Sequence, residues 1–209
     1  MLQVYLVRHG ETEWNVARRI QGQSDSPLTA TGRLQARQVA ERMKSEGITH
    51  IITSDMGRTR ETAQIIADVC RCEIIIEPRL RELNMGVLEQ REIESLTEQE
   101  EQWRKSLIDG TEGGRIPNGE SMEELYQRMY AALNSCLDLP KGSRPLLVSH
   151  GIALSTLVSR ILGFLLIQNA ACAYVIAQFH AWITKTALGS QMVGSLKVLV
   201  RLPTLLSLR

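Results

Sequence analysis

The stretch Gln3-Val4-Tyr5-Leu6-Val7-Arg8-His9-Gly10 decides the fold. Its apolar, β-branched run has no clean alternation, which is the pattern of a strand buried on both faces of a parallel sheet. His9-Gly10 then stands at the carboxyl end of that strand. Working outward, Thr31-Gly32 opens a segment in which Leu34, Ala36, Val39, Ala40 and Met43 recur at helical spacing, and Gly47 supplies a stop. His50 to Thr53 reads as a second strand. Gly57 to Cys70 reads as a helix with Ala63, Ile66, Ala67 and Cys70 facing inward.

The same alternation continues. Glu73 to Glu77 is a third strand closed by Pro78, and Arg79 to Gly86 has no regular period and reads as a loop. A charged helix is expected from about Glu92 to Ile108. Gly110, Gly113, Gly114 and Pro117 mark a connection to a helix from about Ser121 to Leu137, whose Ser121 and Glu124 have capping-box spacing. Arg144 to Val148 is a fourth strand, and Ile152 to Leu162 a last helix. Strands alternating with helices predict an α/β fold of three layers (αβα), with a mostly parallel central sheet covered by helices on both faces. At 209 residues the chain suits a single domain spanning 1–209.

In open sheets of this kind, ligands bind beyond the carboxyl ends of the strands. Each polar cluster falls at such an end: Arg8-His9-Gly10 after the first strand, Ser54 to Arg58 after the second, Arg81-Glu82 shortly after the third, and His150-Gly151 after the fourth. Together they suit phosphoryl transfer, which needs a nucleophile, positive charge around phosphorus and an acid for the leaving oxygen. His9 can attack with a neutral ring nitrogen if its other nitrogen is held by a backbone carbonyl. Gly10 lets the backbone approach closely. Arg8 and Arg58 offer planar forks for phosphate oxygens, and a protonated His150 would add another donor. Glu82 serves as acid and then as base. No metal is required by this scheme.

These motifs resemble the histidine phosphatase superfamily in its cofactor-dependent phosphoglycerate mutase branch. The resemblance rests on Leu6-Val7-Arg8-His9-Gly10-Glu11-Thr12-Glu13-Trp14-Asn15, on Ser54 to Ala63 around Arg58, and on Arg81-Glu82-Leu83-Asn84-Met85-Gly86. Pro117 to Ser121 and Val148 to Gly151 extend it, and the likeness is read over residues 1–163. It implies a phosphoglycerate mutase-like fold and a phosphohistidine at His9. Arg8, Arg58 and His150 would hold the phosphoryl group, and Glu82 would be proton donor and acceptor. It also implies substrate-binding roles for Asn15, Gln21, Gly22, Arg60 and Gly151, with Arg104 and Lys105 at the rim. Glu89-Gln90 departs from the pattern, since many relatives place Gly after that acidic residue. The implied activities are interconversion of 2- and 3-phosphoglycerate, or hydrolysis of small phosphomonoesters by the same intermediate. A mutase would draw on a bisphosphoglycerate-type phosphoryl donor.

Composition narrows the partners. The formal net charge of +1 argues against a strongly basic nucleic-acid surface, though a whole-chain sum can hide a local basic pocket, and leaves room for a small anion; the resemblance implies that this ligand is a small phosphorylated metabolite. Cys70, Cys72, Cys136 and Cys172 are too few and too irregular for a secreted framework, and the apolar N-terminal run ends at Val7 before Arg8 and His9 and so does not read as a secretory signal, which points to the cytoplasm. A homodimer is left open. Charge is uneven along the chain: residues 1–140 sum to −6 and residues 141–209, with no acidic group, to +7. The apolar run 164–183 is interrupted by Gln168, Asn169, Gln178 and His180, which argues against a membrane span. Loss of acidic groups and of family likeness together mark residues 164–209 as an atypical tail, expected to arise from a frameshift and to leave an unpaired sheet edge.

Blander readings fit the other polar residues. Arg18, Arg19, Arg33, Arg37 and Arg42, and the acidic run Glu98 to Glu101, read as solvated faces. His50 and His180 lack catalytic company. The competing functional class is a catalytically impaired phosphate-binding or regulatory protein, against which intact His9, Arg58, Glu82 and His150 argue.

Overall fold

The computed structural model describes residues 2–108, 114–168 and 196–198. Four strands of the sheet run parallel: β1 (Val4–Arg8), β2 (His50–Thr53), β3 (Glu73–Ile76), which lies at an edge, and β4 (Pro145–Ser149). A fifth, β5 (Leu196–Val198), pairs antiparallel with β1, so the order is β3-β2-β4-β1-β5. The sequence reading has four strands and misses β5, whose three residues carry too little pattern to declare a strand.

Both faces of the central strands are buried, which is why their sequences do not alternate. Val4 and Leu6 of β1, Ile52 and Leu147 face one cluster. Tyr5, Val7, Ile51, Leu146 and Val148 face the other. The first cluster is closed by α5 (Met122–Asn134) and α6 (Gly151–Gln168) through Leu125, Met129, Leu133, Leu154 and Leu157. The second is closed by α2 (Ala30–Glu46) and α3 (Gly57–Cys70) through Val39, Met43, Ala63 and Ile66. The expected three layers are therefore present. Burying a side chain of this size contributes about 1.5–3 kcal/mol, so the alternate projection along each strand secures helices on both faces.

The remaining helices are α1 (Glu13–Val16) and α4 (Glu98–Ile108). Several boundaries differ from expectation for local reasons. Leu34 is exposed, because the buried stripe of α2 runs through Gly32, Ala36, Val39, Ala40 and Met43, on the opposite side. The helix expected from Glu92 starts at Glu98. Thr97 accepts from the Glu100 N–H at 3.3 Å while Glu100 accepts from the Thr97 N–H at 2.8 Å, a capping box that fixes the start. At the other end α5 stops at Asn134 and tightens into a 3-10 turn, Ser135–Asp138. Helix α6 runs on to Gln168, past the expected Leu162. The reading of residues 164–209 as an atypical tail falls mostly on 169–195 and 199–209, outside the described residues. Among the described residues, no helix is long and apolar enough to cross a membrane.

Register places the chemistry. Arg8 of β1 lies opposite Ser149 of β4, and the His9 N–H donates to the Ser149 carbonyl at 3.0 Å. The residues that follow the two strands, His9 and His150, are thereby set side by side at one end of the sheet.

Candidate active site

His9 is buried at the end of β1, and its Nδ1 lies 2.7 Å from its neighbour's carbonyl, Gly10 O. That carbonyl can only accept, so Nδ1 carries the proton and Nε2 presents a lone pair. The Gly10 N–H donates to Thr62 Oγ1 on α3 at 3.1 Å. A side chain at Gly10 would collide with the Gly32 carbonyl in the first turn of α2, and one at Gly32 with the Glu11 carbonyl. Two glycines facing each other thus let the backbone beside His9 press against a helix. Burial, then the positive charges of Arg8 and Arg58, push the His9 imidazole well below the ordinary histidine range, against the weaker opposing pull of its bond to Gly10. The ring is neutral at pH 7, as a nucleophile requires.

Arg58, in the first turn of α3, is almost wholly buried at 1% exposure. Its donors are tied down one by one: Nη2 to Gly22 O at 2.8 Å, Nη1 to Ser24 O at 2.7 Å and to Asp25 Oδ1 at 3.0 Å, and Nε to His150 Nδ1 at 3.2 Å. Of five N–H groups, one on Nη2 is left for a phosphate oxygen. Asp25 also caps α3, accepting from the backbone N–H of Gly57 and, at 3.3 Å, of Arg58. The residue preceding that helix, Met56, makes no such cap of its own.

His150 has no exposed surface, and its ring meets that of His9 edge to face, with centroids 5.3 Å apart. Its Nδ1 accepts from Arg58, so the ring is the neutral Nε2–H tautomer and donates to Ser54 Oγ at 3.1 Å. Burial first, then Arg58, His9, Arg8 and Arg128, hold it well below the ordinary range. The protonated His150 of the sequence reading does not fit a ring whose Nδ1 must accept. Its role in this geometry is to fix Arg58. Arg8 passes over Gly151, where a Cβ would sit 3.4 Å from the guanidinium. Burial and Arg58 lower the Arg8 guanidinium while the Glu82 carboxylate opposes them.

Glu82 reaches the site from the loop after β3. Its Oε1 accepts from the N–H groups of Leu83 and Ala153, both at 2.9 Å, and its Oε2 from that of Ile152 at 3.1 Å. A carboxyl group from a distant loop thus caps α6, accepting from N–H groups of its first turn that have no partner within the helix. The loop itself contains two 3-10 turns, Pro78–Leu80 and Gly86–Leu88, that the sequence reading passes over.

The expected rim residues divide. Gly22 contributes its carbonyl to Arg58 and takes a left-handed φ of +52°, and Gln21 beside it holds a buried Oε1. Asn15 uses its Oδ1 on Thr12 N at 3.0 Å, capping α1. Arg60 faces a groove lined by Gly57, Glu61, Gln64, Ile74 and Ile76. Arg104 and Lys105 lie on α4, both against Glu101. Gln90 stands at φ +68°, a left-handed conformation that favours glycine, and its Nε2 donates to Ser24 Oγ at 3.2 Å. Before it, Glu89 clamps two loops, accepting from Gln23 N at 2.8 Å, Ser24 Oγ at 2.8 Å and Met85 N at 3.2 Å. Asp25, Ser54, Thr62 and Glu89 were absent from the sequence-based set. Ser54 and Thr62 do lie inside the motif around Arg58, but each of the four acts on a residue far away in the chain, which short-range spacing does not register.

A model of the histidine phosphatase superfamily (branch 1) matches residues 4–179. A protein of Photorhabdus laumondii, described as "Probable phosphoglycerate mutase GpmB", is 67% identical over 190 residues, covering 88% of each chain. Among solved structures, YhfR of Bacillus stearothermophilus superposes with a TM-score of 0.72 at 34% identity, over 77% of this chain and 79% of that one. A phosphoserine phosphatase from Entamoeba histolytica, in complex with phosphoserine, gives 0.67 at 30% identity, over 79% and 80%.

Proposed function

The chain belongs to branch 1 of the histidine phosphatase superfamily, and from that premise we propose that it moves the phosphoryl group of a small phosphomonoester through His9, acting as a phosphoglycerate mutase. The observation that carries the reading is the pinning of His9 Nδ1 by Gly10 O at 2.7 Å, beside a buried Arg58 with one N–H to spare. A neutral nitrogen facing a fixed guanidinium is what attack on a phosphate dianion demands.

In the forward step, His9 Nε2 bonds to phosphorus as the ester P–O bond breaks. The electron pair goes to the leaving oxygen, which takes a proton from the Glu82 carboxyl. Arg8 and the free N–H of Arg58 meet the non-bridging oxygens, and little reorganisation is needed because Gly22, Ser24, Asp25 and His150 already hold Arg58. In the return step an attacking hydroxyl gives its proton to Glu82 as its oxygen bonds to phosphorus, and the Nε2–P bond breaks. If that hydroxyl belongs to a monophosphoglycerate, which then gives its other phosphoryl group back to His9, the result is a mutase; if it is water, a phosphatase. A bisphosphoglycerate-type donor, when bound, would supply the first phosphoryl group to His9, and Arg8 and Arg58 suit its phosphate charge.

The mutase reading is supported by the relatives at about two-thirds identity. The phosphatase reading is supported by the phosphoserine phosphatase among the structural relatives. Incubation with 3-phosphoglycerate and with a generic phosphomonoester separates the two. Formation of 2-phosphoglycerate identifies a mutase, and release of phosphate a phosphatase. Both products should vanish in His9→Ala, and activity persisting in that variant would refute the mechanism.

A further inference from the structure

We propose that Arg128, far from the nucleophile in sequence, is a positioning residue for the acid Glu82, acting with Glu120 as a paired clamp on the acid-bearing loop. The inference rests on the role given to Glu82 above.

Arg128 lies on α5 with its guanidinium largely buried. Every one of its donors is spent. Nε and Nη2 make a two-pronged pair with Glu120 Oε1 and Oε2, at 2.6 and 2.8 Å. Nη1 donates to the carbonyls of Arg79 and Arg81, at 2.8 and 2.6 Å, and Nη2 to that of Glu82 at 2.9 Å. These account for all five N–H groups of the fork, a pattern lysine cannot reproduce. Glu120 carries the clamp two residues further, accepting from Asn84 N at 3.3 Å while its own N–H donates to Asn84 O at 2.9 Å. Between these anchors Leu83 is fully buried.

The loop from Arg79 to Asn84 has no strand partner to fix its backbone. Other contacts hold it at single points, Ser149 Oγ to Leu80 O at 2.7 Å, Gln23 Nε2 to Glu82 O at 3.2 Å, Arg81 to Asp55 and the Glu82 carboxylate to α6, whereas this one guanidinium and its carboxylate grip residues 79, 81, 82 and 84 together. A buried ion pair by itself argues little about stability. The use of three of its five donors on carbonyls of this one loop, those of Arg79, Arg81 and the acid itself, is what assigns it a positioning role. Proton transfer tolerates little misplacement, so loosening the clamp should impair that step above others.

The leaving group tells the two roles apart. An alkyl phosphomonoester expels a basic alkoxide that needs the acid's proton, whereas 4-nitrophenyl phosphate expels a stable phenolate that does not. The full chain is assayed as wild type, Glu82→Gln, Arg128→Lys and Glu120→Gln, comparing kcat/KM on the two substrates. Arg128→Lys should lower kcat/KM for the alkyl ester at least about tenfold more than for the nitrophenyl ester, the signature expected of lost general-acid catalysis. Glu82→Gln should show the same selectivity, and adding Arg128→Lys to it should cause little further selective loss. Glu120→Gln, which leaves the carbonyl contacts in place, provides the same reading should the lysine variant fail to fold. Equal loss on both esters in the clamp variants, with Glu82→Gln still selective, would overturn the proposal and leave Arg128 a stabilising residue only. If Glu82→Gln were itself unselective, or the wild type turned over neither ester, the underlying assignment of the acid would fall and the proposal with it.

Discussion

Asp25 holds Arg58 at two points, accepting from its backbone N–H at 3.3 Å and from its Nη1 at 3.0 Å. One carboxylate therefore sets both the start of α3 and the direction of the guanidinium that faces His9 and His150. Asp25 adds a negative charge behind the arginine proposed to bind phosphate, which weakens anion attraction slightly but fixes the fork. Fixing prevails if catalysis depends on preorganised charge.

Asp25→Ala tests that balance. Losing the cap should cost about 0.5–2 kcal/mol of stability. Since the buried guanidinium also loses a partner, kcat/KM should fall by about tenfold to a hundredfold. Urea unfolding and steady-state assays measure the two losses. A variant with unchanged kcat/KM would show that Arg58 needs no help from Asp25.

Acid should weaken the fold in a defined window. His9 and His150 are both held below the ordinary histidine value, so between that value and their folded ones the unfolded chain binds protons that the native chain refuses. Stability is then intact above about pH 6.5 and falls as pH drops, by about 1.4 kcal/mol per pH unit for each histidine. Urea midpoints at pH 7.5, 6.5 and 5.5 measure it. In His9→Gln the slope just below pH 6.5 should be roughly halved, and an unchanged slope would mean that His9 is not the group being charged.

Gln90 occupies a backbone conformation with φ +68°. Gln90→Gly should leave stability unchanged or raised by up to about 1 kcal/mol, because the conformational relief is offset by a more flexible unfolded chain. Gln90→Val, β-branched at the same φ, should lower it by about 1–2 kcal/mol. Denaturant midpoints decide, and equal midpoints for the two variants would refute the strain.

Gly10→Ala should be far more damaging than its small change of volume suggests. The new methyl would overlap the Gly32 carbonyl, and relieving the clash must move either α2 or the segment carrying His9. The expected result is a loss of kcat/KM of about a hundredfold or more, since a misplacement near 1 Å has that effect. Near-normal activity would mean that the two segments have room to part.

Much of this was legible in the chain itself. Unalternating runs at Val4–Arg8 and Pro145–Ser149 are the mark of strands covered on both faces, and their polar ends announce the site. Less legible was whatever acts across long separations. Asp25 caps a helix 33 residues on and Glu82 one 71 residues on, where no spacing rule applies. The Thr97–Glu100 box, by contrast, was readable and overlooked, which placed the start of α4 too early. His150 shows a third limit: its charge depends on which nitrogen meets Arg58, a matter of geometry that composition does not encode.

The claim beneath all of these is that one nitrogen of His9 carries the phosphoryl group. Phosphorus NMR of the phosphorylated protein, with mass spectrometry of its peptides, distinguishes the two ring positions. Because Gly10 O occupies Nδ1, the phosphoryl group is predicted on Nε2 of His9 and nowhere else. A phosphoryl group on Nδ1 of His9, on His150, or on no histidine during turnover would contradict the account.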